Sequence, residues 1–335
     1  MKVLVTGGAG YIGSTTARAL EAAGHVPVIL DSLLTGPRVF VGDRIFYQGD
    51  IADRTLVGRI FEEHPEIAAT IHMAARIVVP ESVAEPVAYY RDNVAKSLTL
   101  FDQLVELGRP AVLFSSSASL YAPPSEGFEV RECDPVAPTS PYARTKLMME
   151  QILQDIVAAT PLRAIILRYF NPIGSDPDLT TGIYAREPSH VLGQLVMAAR
   201  GRLPAFTITG TDLPTPDGTG IRDYVHVWDL AQAHVAAVEQ FDTVLDRAGR
   251  PSVIVNIGRG EGITVRELIS VFEDVYGEAV PSREAPPRLG DAVGAYANVD
   301  LAHQLLGWQS KLSVADGISS ALRWADKRRM VLGYE

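Results

Sequence analysis

Short apolar runs alternate with stretches of helical periodicity through the first half of the chain. Strand-length apolar runs fall at 3–6, 26–30, 44–48, 69–72, 112–115 and 164–168. Between them, segments such as 12–23 and 93–107 space their apolar residues as an amphipathic helix does. Strands that alternate with helices predict a parallel sheet covered on both faces. The regularity weakens after Asn171. Residues 172–220 are rich in Pro, Gly, Thr and Asp, with one helical stretch near 191–201. A helix at 227–241 and a strand at 253–257 return the chain to the sheet. The tail, 264–335, mixes helices and loops, and Thr264 and Glu267 have capping-box spacing ahead of an apolar helical run.

A chain of 335 residues can bury a large core in one or two domains. Apolar residues make up 47% and charged residues 21%, so a disordered chain is excluded. The net charge of −10 argues against sequence-independent binding of nucleic acid. It leaves room for an anionic small ligand, because a few arginines in a cleft can outweigh the global field. No stretch approaches the length of a membrane span, and the first apolar run is too short for a signal-peptide core. Cys133 is the only cysteine, so no intramolecular disulfide is possible, and a reduced, cytoplasmic setting is expected.

The first strand runs into Gly7-Gly8-Ala9-Gly10-Tyr11-Ile12-Gly13, and a helix opens there. Glycine permits a tight turn and close approach of backbone to a pyrophosphate, while the helix start presents free N–H groups. Asp31 ends the second strand, where a carboxylate accepts hydrogen bonds from a ribose 2′-hydroxyl and repels a 2′-phosphate. The following residues, Ser32-Leu33-Leu34, bring no cation. The cofactor expected is NAD rather than NADP.

Tyr142 and Lys146 stand four apart, with Pro141 suited to the first turn of their helix. A nearby ammonium and a positive nicotinamide ring would favour the phenolate and lower the tyrosine pKa. Ser115-Ser116-Ser117-Ala118-Ser119 follows the fifth strand, at the end where open α/β sheets bind ligands. Taken alone, the pair also fits a solvated helix face and the serines fit a polar loop.

Together these residues resemble an extended short-chain dehydrogenase/reductase, and within that group the UDP-glucose 4-epimerases. Further motifs follow in the same order: Gly49-Asp50-Ile51, His72-Met73-Ala74-Ala75, Pro80-Glu81-Ser82, Asn93-Val94 and Arg168-Tyr169-Phe170-Asn171-Pro172. The most specific is Pro216-Asp217-Gly218-Thr219-Gly220-Ile221-Arg222-Asp223-Tyr224-Val225-His226. The resemblance implies C4 epimerisation of a UDP-hexose through a transient 4-keto sugar, with Ser117, Tyr142 and Lys146 as catalytic residues. NAD would be held by Gly7, Gly10, Tyr11, Ile12, Gly13, Asp31, Asp50, Ile51, Ala74, Ala75, Asn93, Ser115, Tyr142, Lys146 and Tyr169. The UDP-sugar would be held by Ser117, Asn171, His190, Arg222, Tyr224, Arg288 and Asp291. No metal is expected. The implied architecture is a Rossmann-type NAD-binding domain from residues 1–171 plus about 222–258. A smaller, discontinuous UDP-sugar domain would come from about 172–221 plus 259–335. A homodimer is implied, through 93–107 and 142–158.

The chain also departs from the pattern. Ile77 stands where a cofactor-contacting lysine is usual, with Arg76 adjacent as a substitute, and Ala295 stands where some members place a pocket-narrowing tyrosine. The alternatives are therefore a 4-epimerase of UDP-N-acetylglucosamine or UDP-glucuronate and, more remotely, a nucleotide-sugar dehydratase or a non-catalytic dinucleotide sensor. Ala118 and Ser119 supply none of the acids a dehydratase carries after its serine or threonine, and a sensor typically loses the Tyr–Lys pair.

Overall fold

The computed structural model describes residues 1–124, 126–286 and 293–334. The apolar runs form seven strands: β1 (Lys2–Thr6), β2 (Val26–Asp31), β3 (Ile45–Gln48), β4 (Ile67–His72), β5 (Ala111–Ser117), β6 (Arg163–Tyr169) and β7 (Ser252–Ile257). All pair in parallel, in the order β3-β2-β1-β4-β5-β6-β7. The chain winds outward from β1 in one direction and then from β4 in the other. This is the doubly wound, Rossmann-type sheet that the alternation predicts, and its winding reverses between β1 and β4.

Side-chain alternation shows why both faces need cover. Val3, Val5, Ile29 and Ile71 pack into one apolar core, and Leu4, Val28, Leu30 and Val112 into another on the opposite face. The longer helices are α1 (Tyr11–Ala22), α2 (Arg54–Glu63), α3 (Lys96–Glu106), α4 (Pro141–Ala159), α5 (Val191–Ala199), α6 (Val227–Glu239), α7 (Val265–Tyr276) and α8 (Val314–Leu332). Ala17, Leu20, Leu230 and Val235 bring α1 and α6 to the first core. Ile60, Leu100, Leu104, Met149 and Leu153 bring α2, α3 and α4 to the second. The stretch at 93–107 is not one regular helix: Tyr90–Ala95 wind as a π-helical turn and α3 follows.

A third core gathers the later segments. Leu192 and Leu195 of α5, Leu268 and Phe272 of α7 and Ile318 and Leu322 of α8 surround Phe206, Ile208 and Tyr224. Strands here are short: Ile221–Arg222 pairs antiparallel with Ile263–Thr264 and parallel with Gly294–Ala297. The capping box of α7 is present, the Thr264 hydroxyl accepting from Glu267 N and the Glu267 carboxylate from Thr264 N. No helix among the described residues is long and apolar enough to cross a membrane.

Candidate active site

The glycine loop lies at the carboxyl end of β1, where the sheet order reverses. Gly7 has φ 72, and a Cβ there would sit 2.7 Å from the Ala74 backbone nitrogen. Only glycine lets the loop after β1 press against the loop after β4. A Cβ on Gly13 would meet the Gly7 carbonyl at 2.2 Å, so Gly13 seats α1 against the turn. Gly10 caps α1 without offering a side chain, which leaves the first-turn N–H groups and the positive end of the helix for an anion. Ile12 packs on the first core, whereas the Tyr11 phenol donates to the Gly174 carbonyl at 2.7 Å and ties α1 to a later segment.

Asp31 accepts from Ala9 N at 2.9 Å and from Leu33 N at 2.8 Å. Each carboxylate oxygen has a second lone pair, so the group can still receive ribose hydroxyls while it braces the glycine loop. The Asp50 carboxylate accepts from Ala52 N and from Lys96 Nζ, and Ile51 is buried in the second core. Ala75 follows Ala74 on the same loop. Asn93, in the π-helical turn, accepts from Arg76 N, and it donates to Arg76 O and to Thr145 Oγ1. Rather than offering a free amide to a ligand, it braces the loop after β4 against α4. The Arg76 guanidinium, beside the position of the absent lysine, pairs with Asp92 at 2.6 Å and Glu81 at 2.8 Å.

The donor set of the catalytic end comes from β5, α4 and β6. Ser140 caps α4 by accepting from Ala143 N, and Pro141 takes the first turn. That fixes Tyr142 and Lys146 on the helix face turned to the sheet. Lys146 Nζ donates to the Ser115 carbonyl at 2.7 Å. Burial pulls its ammonium down to about 8, and Glu150 opposes the fall. The Tyr142 phenol is pushed up by burial and drawn back by the Ser117 hydroxyl. In the protein groups alone, burial outweighs the lowering expected from the lysine. The Ser117 hydroxyl also bonds Ser119 Oγ at 2.9 Å. Tyr169 is buried, its hydroxyl bonded to His234 Nε2, and its pKa is raised by burial.

The expected substrate residues fall into three groups. Asn171 is exposed just past the end of β6, and Arg222 Nη1 donates to the Ile221 and Val293 carbonyls, which aims the guanidinium along that short strand. His190 caps α5, its Nδ1 accepting from Gly193 N, and burial holds the ring neutral at about 4. Tyr224 is 2% exposed and packed in the third core, so its side chain supports the site from behind instead of presenting a surface to the sugar. Arg288 and Asp291 lie outside the described residues. Sequence reasoning missed Glu150, which stands four residues beyond Lys146 on the same helix face, and the inward turn of Arg168. The i, i+4 spacing was the available signal.

Residues 3–258 match the sequence model of the NAD dependent epimerase/dehydratase family. A UDP-glucose 4-epimerase from Azospirillum brasilense is 44% identical over 96% of this chain and 91% of its own. A crystal structure of a UDP-glucose-4-epimerase from Stenotrophomonas maltophila, with bound NAD and formylated UDP-arabinopyranose, superposes with a TM-score of 0.92 at 37% identity over 98% of this chain and 99% of that one. The UDP-Glc/GlcNAc 4-epimerase of Campylobacter jejuni superposes with a TM-score of 0.82 at 33% identity, over 97% and 99%. By its sequence and by its likeness to these solved structures, the chain belongs to the NAD dependent epimerase/dehydratase family.

Proposed function

We propose that the protein inverts C4 of a UDP-hexose, interconverting UDP-glucose and UDP-galactose with NAD held as a resident cofactor. The observation that carries this reading is the gathering of Ser117, Tyr142 and Lys146 at the carboxyl end of β5, on the same edge of the sheet as the glycine loop and Asp31. The relatives named above are epimerases, which does not favour the dehydratase or sensor alternatives. When bound, NAD supplies a reversible hydride acceptor. Tyr142, as phenolate, removes the proton from the 4-hydroxyl and returns it after the 4-keto sugar has turned over. Ser117 hydrogen-bonds the same oxygen and relays the proton. Lys146 favours the phenolate through its charge and holds the nicotinamide ribose. Arg222 grips the diphosphate, and Asn171 orients the hexose. Residues 1–171 with about 222–258 bind NAD, and the remainder binds UDP-sugar.

Protein purified without added cofactor is expected to convert UDP-galactose to UDP-glucose. A preparation that carries NAD but turns over neither sugar would overturn the reading. Tyr142→Phe is expected to lower kcat by about 100- to 10,000-fold with NAD still bound. A variant within a few-fold of the wild type would remove Tyr142 from its role.

Among the exposed apolar side chains are Ile77, Val78, Val83, Val87, Leu98 and Met148. These lie on the segment leading into α3, on α3 and on α4, and such a patch marks a protein contact. The occupant is a second copy of the chain, giving a homodimer. Sedimentation is expected to give twice the chain mass; a monomer at all concentrations would reject the pairing. The lone, exposed Cys133 suits a reducing, cytoplasmic compartment.

A further inference from the structure

Tyr142, Lys146 and Glu150 are spaced i, i+4 and i+8, so one face of α4 presents all three to the sheet. They read three successive residues of β5. The Ser117 hydroxyl draws the Tyr142 phenol back from the rise that burial causes, the Ser115 carbonyl accepts from Lys146, and Ser116 Oγ donates to Glu150. Glu150 is held in turn from β6. Arg168, which pairs with Ser116 across the β5–β6 register, donates Nε at 2.9 Å and Nη2 at 2.7 Å to its two oxygens. The guanidinium lies 4.9 Å from the Tyr121 ring centroid, and its Nη1 donates to the Glu132 carbonyl. Glu150 and Arg168 are 2% and 3% exposed. A buried ion pair is weak evidence of stabilisation, since apolar residues of like volume often serve a core as well or better.

We propose that Glu150 is a positioning residue for the epimerase reaction. Clamped by Arg168 and Ser116, it locks α4 in register with β5 and keeps a negative charge beside Lys146. This rests on the reading of Tyr142 and Lys146 as the acid–base machinery. The groups facing Lys146 leave the electrostatic part to Glu150. From β4 comes His72, buried and neutral; from β5, serines and the Phe114 ring. From β6 come Arg168, already paired, and Tyr169, whose phenol is pushed up. From the turn before α3 come Asn93, and Asp92, which is committed to Arg76 and Lys96. On α4 itself stand Tyr142 and Glu150, and Glu150 opposes the lowering of the lysine by burial.

The test is the pH dependence of kcat in Glu150→Gln. Without the carboxylate the ammonium is less favoured, so Lys146 loses its proton at lower pH. The basic limb of the profile is expected to move down by about one pH unit, with KM for the UDP-sugar little changed. Glu150→Gln strands a buried arginine, so Glu150→Gln/Arg168→Met, which removes both charges, is measured beside it and is expected to fold and show a smaller displacement in the same sense, because the arginine's charge leaves with the acid's. A basic limb at the wild-type position in either folded variant would overturn the proposal. So would a rise in KM with kcat intact, or a double variant that cannot fold, which would make the pair a folding requirement only. Tyr142→Phe separates the two ideas. If it stays active the acid–base reading itself has failed; if it is inactive while the limb does not move, only the role of Glu150 is lost.

Discussion

The sheet half and the later segments meet their backbone hydrogen-bonding needs in different ways. In the sheet half, parallel ladders pair residue with residue from β3 to β7. In the later segments, side-chain carboxylates do much of that work. Asp223, fully buried, accepts from Arg259 N, Gly260 N and Ala297 N. Asp229, on α6 of the sheet half, accepts from Lys311 N and Leu312 N of the later segments, and Asp176 accepts from Thr180 N and Thr181 N. Every buried N–H needs a partner, and irregular backbone finds it in such acids. Regularity belongs to the sheet, whereas carboxylate ties serve irregular backbone wherever it occurs, from Asp31 at the glycine loop to Asp223 among the later loops.

That contrast can be broken most forcefully at Asp223. Asp223→Ala leaves three backbone donors without a partner, Ala297 N buried and Arg259 N and Gly260 N part-buried, and is expected to cost on the order of 3 kcal/mol. Urea unfolding measures it; a loss under about 1 kcal/mol would show that the acid does not hold these loops. In the sheet half, the comparable lesion is steric. Gly13→Ala drives a methyl to 2.2 Å from the Gly7 carbonyl, and is expected to destabilise by about 1–3 kcal/mol and to reduce co-purifying NAD. Full NAD content in that variant would mean the loop yields where it is drawn as rigid.

Acid sharpens the comparison further. Burial holds His72 at about 3 and His234 at about 4, and both belong to the sheet half; His190, at the start of α5, is also held at about 4. In the unfolded chain each takes up a proton near pH 6.5, so the unfolded state binds more protons between roughly pH 6.5 and 4 and stability falls as pH falls through that window. Asp223 acts in the opposite sense. Its carboxyl is pushed up to about 6 by burial, so the folded state gains protons there as pH drops toward the unfolded value. Tm is expected to fall between pH 6.5 and 4.5, with amides of β4 losing more hydrogen-exchange protection than those near 223–226. Equal losses would erase the distinction. The smallest effect is Thr264→Ala, which opens the capping box of α7 and is expected to cost about 1 kcal/mol, read by thermal unfolding.

The same contrast explains what could be read before folding. The seven strands were legible because a doubly covered sheet demands continuous apolar runs, and their ends moved by only one or two residues. The glycine spacing and Asp31 were legible because close backbone approach admits few residue types. The π-helical turn at Asn93 was not, since its apolar spacing passes for an ordinary helix. Nor was the inward turn of Arg168, in a segment whose neighbours pointed to the ligand. The loops after Asn171 were read only as an absence of period, because an aspartate that ties three backbone N–H groups leaves no periodic trace.

The single cysteine offers a spectroscopic opening. Cys133 is exposed and follows Glu132, whose carbonyl accepts from Arg168 and whose carboxylate accepts from Asn256 N. A thiol-directed fluorophore therefore attaches at one position in the unaltered chain, one residue from the brace behind the reacting groups. Its emission, followed during turnover, would report whether that brace stays still while the sugar rotates.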